Sequence, residues 1–246
     1  MGETAAIAIK GLTRRFKERT AVDGLDLTVG QGEIFALLGQ NGAGKTTTIR
    51  MLCGLLAPTA GDARLMGHSI ITETEMVKTL INVSPQETAV AAKLSVWENL
   101  ELMARLYGDG KKQAHSRAGE IMEEFGLTVR AKDKAKTLSG GLQRRLSIAM
   151  ALISRPRILF LDEPTLGLDV RARRELWKLV EGLRGQVTVV LTTHYLEEAA
   201  ALADRIAIMH GGRLQALGTL EDILIATGRP TLEDAFLALT DEEVPA

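Results

Sequence analysis

Residues Gly39-Gln40-Asn41-Gly42-Ala43-Gly44-Lys45-Thr46 follow the apolar run Glu33–Leu38 and lead into a helical stretch, TTIRMLCGLL. The pattern G-x-x-x-x-G-K-[ST] is that of a loop whose backbone wraps a phosphate chain. Its glycines permit positive φ and close backbone approach, so successive N–H groups and the helix N-terminus converge on a β-phosphate. Lys45 adds a point charge for the β- and γ-phosphates, and the Thr46 hydroxyl offers an oxygen to Mg²⁺. A glycine-rich turn is the plain structural alternative, but the flanking strand and helix stand where phosphate chemistry needs them.

A second constellation ends the apolar run of RILFLDEPTLGLD, residues 157–169. Neighbouring strand residues point to opposite sides, so Asp162 and Glu163 should do different work. Asp162, at the carboxyl end of the strand, is suited to Mg²⁺, held directly or through water. Glu163, one step into the loop, could orient and polarise an attacking water. A third constellation is Leu138-Ser139-Gly140-Gly141. Ser139 occupies an N-cap position, and the two glycines leave the first helical N–H groups uncovered, which makes another anion site.

These groups need elements to hold them. The runs at 34–38, 158–162 and 187–192 are apolar on consecutive residues, which predicts parallel strands covered on both faces. Helical patterns follow each, over 45–55, 171–183 and 195–203. Further strands are expected at 5–10, 25–29 and 205–209. Between Pro85 and Ser154 the pattern turns helical, which predicts an inserted helical subdomain. Ser95 and Glu98 form a capping box that should start a helix reaching about Tyr107. A second helix is expected over 112–125, closed by Gly126, and a third after Gly141. Thr231–Asp234 could cap a last helix to Leu239, and the polar tail 241–246 should fray.

Composition narrows the classes. The 246-residue chain carries 30 basic and 31 acidic residues, so it lacks the basic surplus that nucleic-acid binding by charge requires. One cysteine, Cys53, permits no internal disulfide and, with four histidines, no Cys/His zinc framework. A buried structural thiol in a reducing compartment is expected there. The N-terminal residues have neither the basic start nor the long apolar run of a signal peptide, and no stretch approaches membrane-spanning length. Met76, Met103, Met122 and Met150, set among Leu and Ala, read as core filler. Arg130, Lys132, Lys134 and Lys136 read as a solvated helix face.

The three motifs in this order resemble the nucleotide-binding subunit of an ATP-binding cassette (ABC) transporter, over residues 5–240. The resemblance implies an α/β phosphate-loop NTPase core with a mostly parallel central sheet. An N-terminal antiparallel β portion and an inserted α-helical subdomain complete it. The core would comprise 1–86 and 155–220, the helical insert 87–154, and a short helical tail 221–246. ATP would be held by residues 39–47, thus also Thr47, with Phe16 stacking on adenine. Gln86, in SPQE, matches the family's glutamine loop and would join Thr46 and Asp162 around Mg²⁺. His194 matches the switch histidine beside the γ-phosphate, with Glu163 as the catalytic base.

Ser139, Gly140, Gly141 and Asp169 match residues that act in trans, so two cassettes would sandwich two ATP molecules. The partners implied are integral membrane permease subunits and either a second copy of the chain or another cassette. The site of action would be the cytoplasmic face of the plasma membrane. Leu142 replaces the usual glutamine after the signature, and Gln143-Arg144-Arg145 follows. With TLEDAFLALT near the end, that resembles the subclass exporting drugs, polysaccharides, lipid-linked compounds and nodulation factors. A soluble cassette acting on ribosomes or DNA is the alternative; one cassette without long heptads, and no basic footprint, disfavour it.

Overall fold

A computed structural model describes residues 5–240. The polar tail expected to fray, 241–246, and residues 1–4 of the N-terminal reading lie outside them. Six strands form the main sheet: β3 (Ile34–Leu38), β6 (Ile81–Ser84), β7 (Ile158–Asp162), β8 (Thr188–Thr193), β9 (Arg205–His210) and β10 (Arg213–Gly218). Their order is β10-β9-β3-β8-β7-β6, parallel throughout except for the β9–β10 hairpin. A separate antiparallel sheet of order β2-β1-β4-β5 contains β1 (Ile7–Phe16), β2 (Arg19–Val29), β4 (Ala60–Leu65) and β5 (His68–Ser69). The fold is thus the expected α/β core with an antiparallel β portion.

The continuous apolar runs divide their side chains between two cores. In β3, Phe35 and Leu37 face the antiparallel sheet and helix α1 (Lys45–Leu52), alongside Phe160 of β7 and Val190 of β8. The alternate residues Ile34, Ala36 and Leu38 join a second core with Leu159, Leu161, Val189 and Leu191. Period-two geometry and burial on both faces explain why these strands carry no polar alternation.

Between β6 and β7 the described chain contains helices α3 (Val96–Leu106), α4 (Lys111–Glu124) and α5 (Gly140–Leu152). The capping box is made as expected: Ser95 Oγ accepts from Glu98 N at 3.1 Å and Glu98 Oε2 accepts from Ser95 N at 2.6 Å. Helices α6 (Val170–Glu181) and α7 (Leu196–Leu202) follow β7 and β8, and α8 (Leu220–Thr227) and α9 (Leu232–Thr240) close the described chain. One further helix, α2 (Thr74–Leu80), precedes β6.

Several expectations need correction. The first strand runs to Phe16 rather than Lys10, because β1 is central in its sheet and pairs with both β2 and β4. Met122 and Met150 are buried, but Met76 is half exposed on α2, so it is not core filler. Of the basic cluster, Arg130 and Lys136 lie on short 3-10 turns and Lys132 and Lys134 between them, not on one helix face, and the cluster pairs with acids through Arg130–Asp133 and Lys134–Glu98. No helix among the described residues is long and apolar enough to cross a membrane.

Candidate functional site

The carboxyl ends of β3, β7 and β8 are adjacent in the parallel sheet, so the loops leaving them share one crevice. A cavity of about 640 Å³ opens there, and its lining includes Phe16, Lys45, Thr46, Gln86, Glu163 and His194. Asn41, Gly42, Gly44 and Thr47 also line it. Five segments distant in sequence therefore meet at one opening.

Helix α1 starts at Gly44, whose left-handed φ of 105° no other residue adopts without strain, and no side chain caps it. Its N-terminal N–H groups are therefore free of side-chain competition, and the helix dipole adds to their pull on an anion. Lys45 is buried, and its Nζ donates to Gly39 O at 2.7 Å and Gln40 O at 3.2 Å. These carbonyls fold the ammonium back over the loop, 3.8 Å from Glu163 Oε1. Burial lowers the Lys45 pKa from its ordinary value, while Glu163 and Asp162 oppose the shift. A phosphate oxygen arriving at Lys45 meets a charge that is poorly solvated and correspondingly strong.

Thr46 Oγ1 donates to Asp162 Oδ1 at 3.1 Å, and Thr192 Oγ1 donates to the same oxygen at 2.5 Å. Glu163 N in turn donates to Thr192 Oγ1 at 3.0 Å. Thr192 thus locks the Asp-Glu pair to the neighbouring strand. The Thr46 hydroxyl and the Asp162 carboxylate are hard oxygen donors of the kind that suits Mg²⁺, and Gln86 lines the same cavity as Thr46. The described residues hold no cluster of three or more His, Cys, Asp or Glu able to cage a metal. Such a site fits a cation that completes its shell with phosphate oxygens and water.

Glu163 has a φ of 45°, one of four non-glycine residues among those described with a positive value. That strained backbone turns its carboxylate away from Asp162 and into the cavity. Glu163 Oε2 stands 3.3 Å from His194 Nδ1, which is buried without hydrogen-bond geometry to any group. A carboxylate between an ammonium and an imidazole can accept a proton from water while both neighbours face a γ-phosphate.

Phe16 is 43% exposed at the cavity rim, with the Arg14 guanidinium 4.5 Å from its ring centroid. One aromatic at the mouth suits a stacked base.

Ser139 caps α5, accepting from Leu142 N at 3.4 Å, and Ser139 and Gly140 are exposed. Asp169 caps α6, accepting from Ala172 N at 2.9 Å. None of Ser139, Gly140, Gly141 and Asp169 is in the cavity lining, so the structure does not bring them to their own chain's phosphate loop. Three contributors escaped sequence reasoning. Arg19 lines the cavity and donates to Gly42 O at 3.3 Å. Thr192 and Arg144 are buried behind the carboxylates. A threonine pair closing an apolar strand was a readable signal for Thr192, because a buried hydroxyl must find partners. Arg19 carried no signal.

Fold and cavity define a phosphate-loop nucleoside triphosphatase. Residues 22–166 match the family model described as ABC transporter. The chain belongs to the ABC transporter family. It is 44% identical over 229 residues to a daunorubicin resistance ATP-binding protein of Streptomyces coeruleorubidus, covering 93% of this chain and 72% of that protein. With the Nod factor export ATP-binding protein I of Ralstonia nicotianae it shares 38% identity over 225 residues, covering 91% and 70%. A solved structure described as the ATP-binding subunit of an ABC transporter superposes with a TM-score of 0.85 at 29% identity, covering 97% of this chain and all of that one. The chain is accordingly an ATP-binding, ATP-hydrolysing subunit of an ABC transporter.

Proposed function

We propose that this subunit hydrolyses Mg-ATP between two cassettes and thereby drives export of a drug-like, lipid-linked or polysaccharide-type compound through separate membrane permeases. The observation that carries the catalytic part is the convergence of Lys45, Thr46, Gln86, Glu163 and His194 on one cavity. Residues 39–47 wrap the phosphates, and Phe16 stacks on the adenine. Thr46, Asp162 and Gln86 would hold Mg²⁺, which would supply positive charge to screen the phosphate oxygens. Glu163 Oε2 takes a proton from the attacking water, and Lys45 and His194 face the charge developing on the transferred phosphoryl group.

The trans role of Ser139, Gly140, Gly141 and Asp169 is supported by the exposure of Ser139, Gly140 and Asp169 and by the absence of all four from their own cavity's lining. A second copy of the chain, or another cassette, would bring them over the γ-phosphate. The export substrate class is supported by the names of the relatives. With a permease as anchor, the subunit would work at the cytoplasmic face of the plasma membrane, and nucleic acid is not a partner in this reading.

Glu163→Gln tests the chemistry. Turnover should fall about 10²- to 10⁴-fold, the range for loss of a general base, while ATP still binds. Wild-type hydrolysis in that variant would remove Glu163 from the role. Held with Mg-ATP, the same variant should dimerise in light scattering and co-purify with a polytopic membrane protein. Ribosomal or nucleoid proteins in its place would overturn the transport reading.

A further inference from the structure

Behind the carboxylates, the chain leaves two loops short of donors. β6 ends at Ser84 and is followed by Pro85; β7 ends at Asp162 and is followed, after Glu163, by Pro164. Proline has no N–H, so both loops are poor in main-chain donors for the carbonyls gathered here, although Leu166 N donates to Glu163 O at 3.2 Å. One side chain supplies donors to all of them. Arg144 of α5 is 4% exposed. Its Nε donates to Pro164 O at 2.8 Å. Its Nη1 donates to Pro85 O at 2.5 Å and Gln86 O at 3.3 Å. Its Nη2 donates to Asp162 O at 2.7 Å and Glu163 O at 2.8 Å. The five N–H groups of a guanidinium thus meet five main-chain oxygens.

The buried charge is held by carbonyl dipoles and by the carboxylates of Asp162, Glu198 and Glu163, which oppose the desolvation of the group. Arg145, the next residue, points elsewhere and pairs with Glu175 on α6. The helical turn of about 100° per residue separates their tasks.

We propose that Arg144 is a positioning residue that ties the N-terminal turn of the signature helix to the backbones of Gln86 and Glu163. Arg144 lies one helical turn past Gly140. A force on that end of α5, such as a partner's nucleotide seated on Ser139, reaches both loops through one rigid fork. Because Glu163 is held at positive φ, a small displacement of its carbonyl turns its carboxylate. The side chain touches no substrate and acts only through the residues it holds. This inference rests on the assignment of Glu163 as base.

Arg144→Lys keeps the charge but offers a single nitrogen that cannot span five acceptors. In variants that melt cooperatively, kcat should fall about 10- to 100-fold, the cost of misplacing a catalytic group by roughly 1 Å, with the Kd for a fluorescent ATP analogue within about twofold of wild type. The double variant Arg144→Lys/Glu163→Gln should hydrolyse ATP within about twofold of Glu163→Gln alone, because residues acting as a unit are non-additive. Multiplied losses in the double variant, or a weakened Kd at unchanged kcat, would overturn the proposal. Arg144→Gln serves as the second variant; if neither folds, the arginine is a requirement of folding and the proposal fails. Normal turnover in Glu163→Gln alone would instead overturn the base assignment.

Discussion

Two helix N-termini in this molecule are built to attract anions, and they are finished differently. At the start of α1, Gly44 takes a left-handed turn, Lys45 folds back over the loop, and Asp162 and Glu163 close the far side. At the start of α5, Ser139 caps the helix and Gly140 faces solvent, and neither lies in the lining of the phosphate-loop cavity. The first end is a complete site within one chain. The second supplies donors with nothing beside them in the cavity lining, which is the observation behind the role in trans proposed for it. The same backbone physics gives a whole site or half of one, depending on what the fold packs beside it.

The glycines sharpen this contrast most. A Cβ on Gly44 would lie 2.5 Å from Ala21 O, at a φ of 105°. Gly44→Ala should therefore cost more than about 1–3 kcal/mol from strain alone and abolish nucleotide binding, read by thermal melting and ATP titration. A Cβ on Gly140 meets nothing closer than 3.9 Å, the Leu168 side chain. Gly140→Ala should leave the melting temperature and ATP affinity of the isolated chain unchanged, yet lower hydrolysis at least about tenfold by obstructing backbone contact in the closed dimer. Unimpaired hydrolysis would break the comparison, since nothing within the chain crowds this position.

Next in size is Lys45→Ala, which should weaken ATP binding about ten- to a hundredfold, the loss of a charge-assisted hydrogen bond. Ser139→Ala should leave that equilibrium within about twofold. Equal effects in isothermal titration would mean that both ends act on one nucleotide in one chain.

A smaller effect concerns the polar packing behind the site. Glu198 on α7 is fully buried and accepts from Trp177 Nε1 at 3.2 Å. Burial pushes its carboxyl above the ordinary value of 4.5, opposed by the polar groups of Thr193, Thr165 and Trp177 and by the charge of Arg173. The neutral form is favoured on folding, so its stabilising contribution is present below the ordinary pKa and is lost as pH rises through the higher folded value. Glu198→Gln should gain stability relative to wild type between pH 4 and pH 8. Parallel melts that keep a constant difference would refute this. Smallest of all, Cys53, buried on the exit from α1 with its thiol pushed up to about 12, should resist iodoacetamide at pH 8 until the chain unfolds.

How far the sequence carried differs element by element. The β3 and β7 runs are legible to the residue because burial on both faces leaves only apolar choices, and the α3 capping box is legible because its chemistry is local. β4 reads AGDARL, with Gly and Asp at its exposed start, and β10 reads RLQALG on the sheet edge. Both are strands because a neighbour offers hydrogen bonds, not because their residues prefer it. α8 did carry a readable signal, a capping box between Thr219 and Asp222, which sequence reasoning passed over.

The phosphate loop, the Asp-Glu pair, Gln86, His194 and the signature were all visible as residues, since each motif is short and its spacing is set by local backbone chemistry. That the phosphate loop, Glu163, Gln86 and His194 share one cavity, and that the signature stands outside it, was decided by the parallel order of β3, β8 and β7, which only long-range pairing fixes. Arg144 and Arg145 are a basic pair in the sequence, and nothing in it says which is buried. The rotation of α5 against β6 and β7 decides that, because a helix turns adjacent residues to different neighbours, and only one of those neighbours is a row of main-chain carbonyls.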